Sequence, residues 1–235
     1  MSLALSPFSR YILELRLGRM NGVMEFLDAN PQALNKKIKS SATTNESFLE
    51  LATRFDKTNI VLLLKSRGAS ETPQTAPSLL ARSIINFNDT LVEIFTSWGW
   101  DPWDGSVVDD LAPPIYTAMN TGYMFALKLW EKNGVDFTKK NGDGDNLLHI
   151  MMKSFAVSDI NENLQDIAIM LMKKGVSWDA LNKEGVSPKQ LCVNPKCQQK
   201  LSEEWERLCA KKSKKVLLNA INTNVEENVS KKRRL

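Results

Sequence analysis

Three times in this chain an apolar residue is followed nineteen positions later by a glycine: Leu49 and Gly68, Leu80 and Gly99, Ile115 and Gly134. A fourth pair, Leu148 and Gly175, is twenty-seven apart, the same spacing with eight residues inserted. Seven positions before each glycine stands another apolar residue: Val61, Val92, Leu127 and Ala168. A glycine directly after an apolar periodic run closes a helix, because it adopts positive φ without a Cβ penalty. Runs such as Ile60-Val61-Leu62-Leu63-Leu64 are too apolar for a lone surface helix and suit one packed between neighbours. Turn residues and small caps precede the anchors, at Thr43-Thr44-Asn45, Pro77-Ser78, Pro113-Pro114, Asn146 and Ser187. They read as helix starts. The pattern predicts a repeated unit that contributes a helix packed between its neighbours.

Two further stretches specify the kind of pair. Asn141-Gly142-Asp143-Gly144-Asp145-Asn146-Leu147-Leu148-His149 reads Asn-x-x-Gly-x-Asn-Leu-Leu-His, and Asn182-Lys183-Glu184-Gly185-Val186-Ser187-Pro188 repeats its first half. Pro114-Ile115-Tyr116-Thr117-Ala118 is a third variant. Over about residues 8 to 210 the chain resembles the ankyrin repeat, whose first helix opens with Thr-Pro-Leu-His-x-Ala. Few units keep Thr-Pro, and only one keeps the histidine. The resemblance implies an all-α solenoid of about five helix-turn-helix units. Residues 1–210 form the array with degenerate terminal caps, and 211–235 form a basic, flexible tail. The first unit is degenerate, with helices at Arg10-Tyr11-Ile12-Leu13-Glu14-Leu15 and Val23-Met24-Glu25-Phe26-Leu27. The insertion, near residues 154–160, is expected between the two helices of the fifth unit. A capping helix is expected from about Lys196 to Lys212, with Leu201, Trp205 and Leu208 on one face.

Hydrophobic residues make up 43% of the 235-residue chain, enough for a sizeable core. The net charge of +4 is uneven. From Lys211 onward six Lys and two Arg face Glu226 and Glu227, so the tail carries +6 and the body −2. A nucleic-acid-binding body would bring a basic face of its own. No apolar run is long enough for a membrane span, and the first residues do not read as a secretory signal. Cys192, Cys197 and Cys209 are no disulfide framework and suit a reducing compartment, hence a cytoplasmic protein, or one that is nuclear or delivered into a host cell. A zinc site would need about four ligands.

The motifs do not point to an enzyme, a cofactor or a metal. His149, the only histidine, has no nucleophile or acid marked beside it, and the resemblance gives it a hydrogen-bonding role in the turn and helix framework. Asn141, Asp143 and Asp145 imitate the start of a calcium loop, but Asn146 and Met152 stand where its Gly and Glu belong. Gly142 and Gly144 lack the Gly-Lys-Ser/Thr of a phosphate loop.

Trp98, Trp100 and Trp103, with Asp101 and Asp104, end a second helix and begin the loop that in ankyrin arrays projects as a finger beside the concave face. Tryptophan is enriched at interface hot spots, and the acids, with Asp109 and Asp110, favour a basic partner. Trp178 holds a related finger position. The competing expectation is that one or two of the rings fill the gap between units. Trp130 reads as core. Lys231, Lys232, Arg233 and Arg234 form a candidate import signal; a solvated tail or a contact with nucleic acid or a membrane surface are the alternatives. The expected function is binding of a folded protein partner through the concave face and finger loops, as effector, adaptor or stoichiometric inhibitor. An immunity protein neutralising an enzyme, a nuclear regulator using the tail, and an enzyme in an ankyrin-like shell are the rivals. The divergent units suggest a bacterial, phage or viral protein.

Overall fold

The computed structural model describes residues 7–39, 45–72, 75–105, 112–155 and 162–232. The chain falls into two compact units, Met1–Val135 and Asp136–Leu235.

The first unit is built of helix pairs: α1 (Pro7–Leu17) with α2 (Met20–Ala29), α3 (Phe48–Arg54) with α4 (Thr58–Ser66), α5 (Ala76–Ile85) with α6 (Asp89–Ser97), and α7 (Pro114–Thr121) with α8 (Met124–Lys132). First helices pack on first helices, α1 on α3, α3 on α5 and α5 on α7, while α2 packs on α4 and α6 on α8. A short antiparallel hairpin, β1 (Ile38–Lys39) with β2 (Asn45–Glu46), pairs Ile38 with Glu46 ahead of α3. Ser47 then caps α3: its Oγ accepts the Glu50 N–H at 3.0 Å, and Glu50 Oε2 accepts the Ser47 N–H at 2.5 Å. This reciprocal cap satisfies two donors that a helix start leaves open.

The spaced anchors are core. Leu49, Leu80 and Ile115 are at most 1% exposed, and Val61, Val92 and Leu127 are fully buried. Each such side chain contributes about 1.5–3 kcal/mol relative to exposure. Tyr11 stacks on Phe26 at 4.1 Å and meets the edge of Phe48 at 4.3 Å, so the degenerate first pair is sealed onto the second by aromatic rings.

Gly68, Gly99 and Gly134 take φ of +91°, +82° and +78°. In each case the following N–H reaches back five residues, Ala69 to Leu64, Trp100 to Phe95 and Val135 to Trp130. That is the Schellman closure, and it satisfies carbonyls that a helix end would leave without a partner. First helices end the same way, through Gly18, Asp56, Phe87 and Gly122, with Lys57 bonding back to Ala52 and Asn88 to Ser83. At Asp56 (φ +58°) and Phe87 (φ +52°) the left-handed position is filled without glycine.

The second unit holds α9 (Leu147–Ser154), α10 (Glu162–Lys173), α11 (Pro188–Leu191) and α12 (Pro195–Lys232). α9 packs on α10 and α11, and α10 packs on α12. Gly175 (φ +94°) closes α10, with the Val176 N–H bonding to Leu171. Leu148 and Ala168 are fully buried, as the spacing requires. The expected insertion lies largely outside the described residues. The last helix is much longer than the sequence suggested. Expected to end near Lys212, it continues to Lys232, because neither Gly nor Pro interrupts the chain after Pro195. Lys231 and Lys232 fall in its final turn; Arg233 and Arg234 lie outside the described residues.

Candidate protein-binding surface

The aromatic loop of the first unit starts where Gly99 turns the chain out of α6. Phe95, fully buried in α6, forms its floor. Trp100 stacks on Phe95 at 4.6 Å with planes 24° apart, Trp98 lies 5.2 Å from Phe95, and the two tryptophans meet edge to face at 5.5 Å. Both remain half-buried, so each ring rests on the core and shows another side to solvent. Lys65 holds its ammonium 4.6 Å above Trp98, a contact worth about 0.5–1 kcal/mol at an exposed site.

The chain then tightens. Asp101 Oδ1 accepts the Trp103 N–H at 2.9 Å, the Asp104 N–H reaches the Asp101 carbonyl at 3.1 Å, and the buried Pro102 accepts the Ile115 N–H at 2.9 Å. Trp103, half-buried, meets Tyr116 edge to face at 6.0 Å. Asp101 and Asp104 are exposed. The sequence expectation thus brings Trp98, Trp100, Asp101, Trp103 and Asp104 onto one short, pinned loop. Asp109 and Asp110 lie outside the described residues.

Trp178 departs from expectation. It is fully buried, and its Nε1 donates to Ser202 Oγ at 3.2 Å. Its ring belongs to the core between α10 and α12 and has no face to offer a partner. Counting from the closing glycines separates it from Trp100. Trp178 stands three positions after its glycine, as Phe137 and Pro102 do, and all three are buried. Trp100 stands one position after. Trp130 is core as expected, its Nε1 donating to Thr96 Oγ1 at 3.1 Å.

A second aromatic group escaped the sequence reading. Phe87, 58% exposed, meets Tyr123 edge to face at 5.2 Å, and Tyr123 lies 5.9 Å from Phe125. The Tyr123 hydroxyl donates to Asp89. Burial, together with that carboxylate, pushes the Tyr123 pKa well up. Gly18 and Gly122 at equivalent turns were the available signal.

In the second unit the paired motifs form twin turns. Asn141 Oδ1 accepts the N–H groups of Asp143 and Asp145, both at 2.9 Å. Asn182 Oδ1 accepts those of Glu184 and Val186, both at 3.0 Å. Gly144 and Gly185 supply positive φ. The turns are stitched together by Asn182 Nδ2 to Asp145 Oδ1 at 2.8 Å and by the Lys183 N–H to the Asp143 carbonyl at 2.9 Å.

His149 completes the framework. Its Nδ1 accepts the Asn146 N–H at 3.1 Å, and its Nε2 lies 3.0 Å from the Val186 carbonyl, which fixes the proton on Nε2. Both ring nitrogens are engaged, and burial lowers the His149 pKa below 6.5. Asp145 is engaged by donors of the protein itself. Burial opposes its charge, but hydrogen bonds from Lys153, at 2.6 Å, and Asn182 outweigh it and hold the carboxyl below 3.8. Among the described residues no group of three or more His, Cys, Asp or Glu could hold a metal ion, and no helix is long and apolar enough to cross a membrane.

Comparison of folds is decisive for the class. An ankyrin repeat domain from Acinetobacter baumannii AYE superposes with a TM-score of 0.61 at 16% sequence identity, covering 86% of this chain and 96% of that one. The chain has the ankyrin-repeat fold. No protein-family model matches it, and no curated protein matches its sequence. In ankyrin terms, the Trp98–Asp104 stretch follows the second helix of the unit built on α5 and α6, and His149 caps the first helix of the unit built on α9 and α10.

Proposed function

We propose that this ankyrin-repeat chain binds a folded protein partner, with the loop from Trp98 to Asp104 as its anchor and a basic, partly apolar surface as its target. The observation that carries the reading is a rigid aromatic shelf beside exposed acid. Trp98 and Trp100 are pinned on buried Phe95 yet half open to solvent, and Asp101 and Asp104 stand exposed next to them. Rings already fixed in place lose little freedom on binding, which is the ordering cost that weakens mobile surfaces. Carboxylates at the rim steer a basic partner and select its orientation. The engaged nitrogens of His149 support a framework role for that residue over proton transfer. Such a binder acts stoichiometrically, as adaptor, effector or inhibitor, in a reducing compartment suited to its free thiols.

The test is capture with the full chain and with a Trp100→Ala, Trp103→Ala variant, followed by titration of the retained partner. Two hot-spot rings should weaken Kd by about 30-fold or more. Circular dichroism should show the variant folded. A partner held equally well by the variant would place the binding face elsewhere.

A further inference from the structure

The junction between α11 and α12 holds a thiol pair. Cys192 ends α11 and Cys197 lies in the first turn of α12. They are 5% and 3% exposed, beneath a link that carries Val193 at 63% exposure and exposed Pro195. Asn194 ties the two cysteines together. Its carbonyl oxygen lies 3.8 Å from the Cys192 sulfur, and its Oδ1 accepts the Cys197 N–H at 3.0 Å. The Cys192 thiol donates to the Asn194 carbonyl, so Asn194 holds one cysteine on each side of it. The neighbouring Cys197 thiol lowers the Cys192 pKa, while Cys192 and burial push the Cys197 thiol up. The third cysteine, Cys209, is exposed.

We infer that Cys192 and Cys197 are a dithiol modification site, oxidised to an internal disulfide by low-molecular-weight disulfides such as oxidised glutathione. Three features support it: two buried thiols at one helix junction, a four-residue link between them whose Asn194 bonds to both cysteines, and exposed residues within that link. The Cys192 thiolate attacks one sulfur of the oxidant, forming a mixed disulfide and expelling one thiolate, which takes up a proton. Cys197 then gives up its proton and attacks Cys192 Sγ, expelling the second small thiol. Two electrons pass from the protein sulfurs to the oxidant disulfide, and two small thiols leave. The product staples the end of α11 to the first turn of α12. That helix holds Trp178 through Ser202, and its Trp205 Nε1 donates to Asp179 at 2.6 Å. The oxidation state thus sets whether the α11–α12 junction can open.

The experiment uses the full chain carrying Cys209→Ser, which removes the exposed competing thiol. It is equilibrated in glutathione redox buffers, free thiols are alkylated, and intact mass and tryptic peptides are read. Trypsin cuts after Lys189, Lys196 and Lys200, so the two cysteines fall on separate peptides. Excess oxidised glutathione should give a mass loss of about 2 Da and a cross-linked pair of peptides 190–196 and 197–200, both reversed by dithiothreitol. The oxidised protein should also melt at a higher temperature than the reduced one. Persistent glutathione adducts on either thiol, or both thiols still alkylated under oxidant, would overturn the assignment.

Discussion

Glycine can be replaced by alanine at two positions of this chain with opposite expected outcomes, and only backbone geometry separates them. Gly134 closes α8 at φ +78°, and a Cβ built there would meet nothing within 4 Å. Gly142, exposed in the turn before α9, also has open space around a Cβ but lies outside the left-handed region. No steric clash enters either comparison. At Gly134 an L-residue in the left-handed region costs about 1–2 kcal/mol. Alanine gives back about 0.4–1 kcal/mol by narrowing the unfolded ensemble. Gly134→Ala should therefore destabilise by about 1 kcal/mol, whereas Gly142→Ala should be neutral or stabilise by up to about 1 kcal/mol. Urea unfolding followed by circular dichroism measures both. At a slope of about 2 kcal/mol/M the Gly134→Ala midpoint falls by about 0.5 M, and that of Gly142→Ala does not fall. If the two substitutions behaved alike, the closing glycines would not be set by helix termination, and the reading of the nineteen-residue spacing would fail.

Two further outcomes are expected. His149 resists protonation in the folded state, so its stabilising effect is complete above 6.5 and is lost as pH falls through its lowered folded value. The urea midpoint should drop as pH falls below 6.5, and His149→Gln should flatten that drop while its amide keeps the cap. A midpoint with the same pH dependence in both proteins would show that the histidine is not the titrating group. Trp178→Ala should cost about 3–5 kcal/mol, because it empties a fully buried site and removes the hydrogen bond to Ser202. Chemical denaturation that registers less than about 1 kcal/mol would return Trp178 to the surface.

Much of the fold was legible because a left-handed turn leaves its mark in one residue type. Gly68, Gly99, Gly134 and Gly175 each close a helix, and the anchors measured from them are core. The same signal was silent at Asp56 and Phe87, where other residues fill the left-handed position. Trp178 was misplaced because both Trp100 and Trp178 follow a glycine closely, while the offset of one or three residues decides which way the ring faces. The end of α12 was misjudged because the apolar face of Leu201, Trp205 and Leu208 stops short of Lys212, whereas termination needs a breaker, and residues 196–232 contain no Gly or Pro. At the candidate site, composition pointed to the loop. Its rigidity could not be read, since it depends on Phe95 lying beneath Trp100 and on Asp101 turning the chain at Trp103.

The closures at Gly68, Gly99 and Gly134 bear on how such a chain can change length over time. Each is made by a bond to a carbonyl five residues earlier, within its own helix. From one glycine to the next is 31 residues and then 35. A recombination event that joins one closing glycine to another removes or duplicates a whole helix pair without leaving a cut helix end without its bonds. What must be rebuilt is only the apolar seam between the new neighbours, and cores tolerate many combinations of apolar side chains of similar volume. The punctuation that ends each helix pair therefore doubles as a natural breakpoint for gaining or losing one.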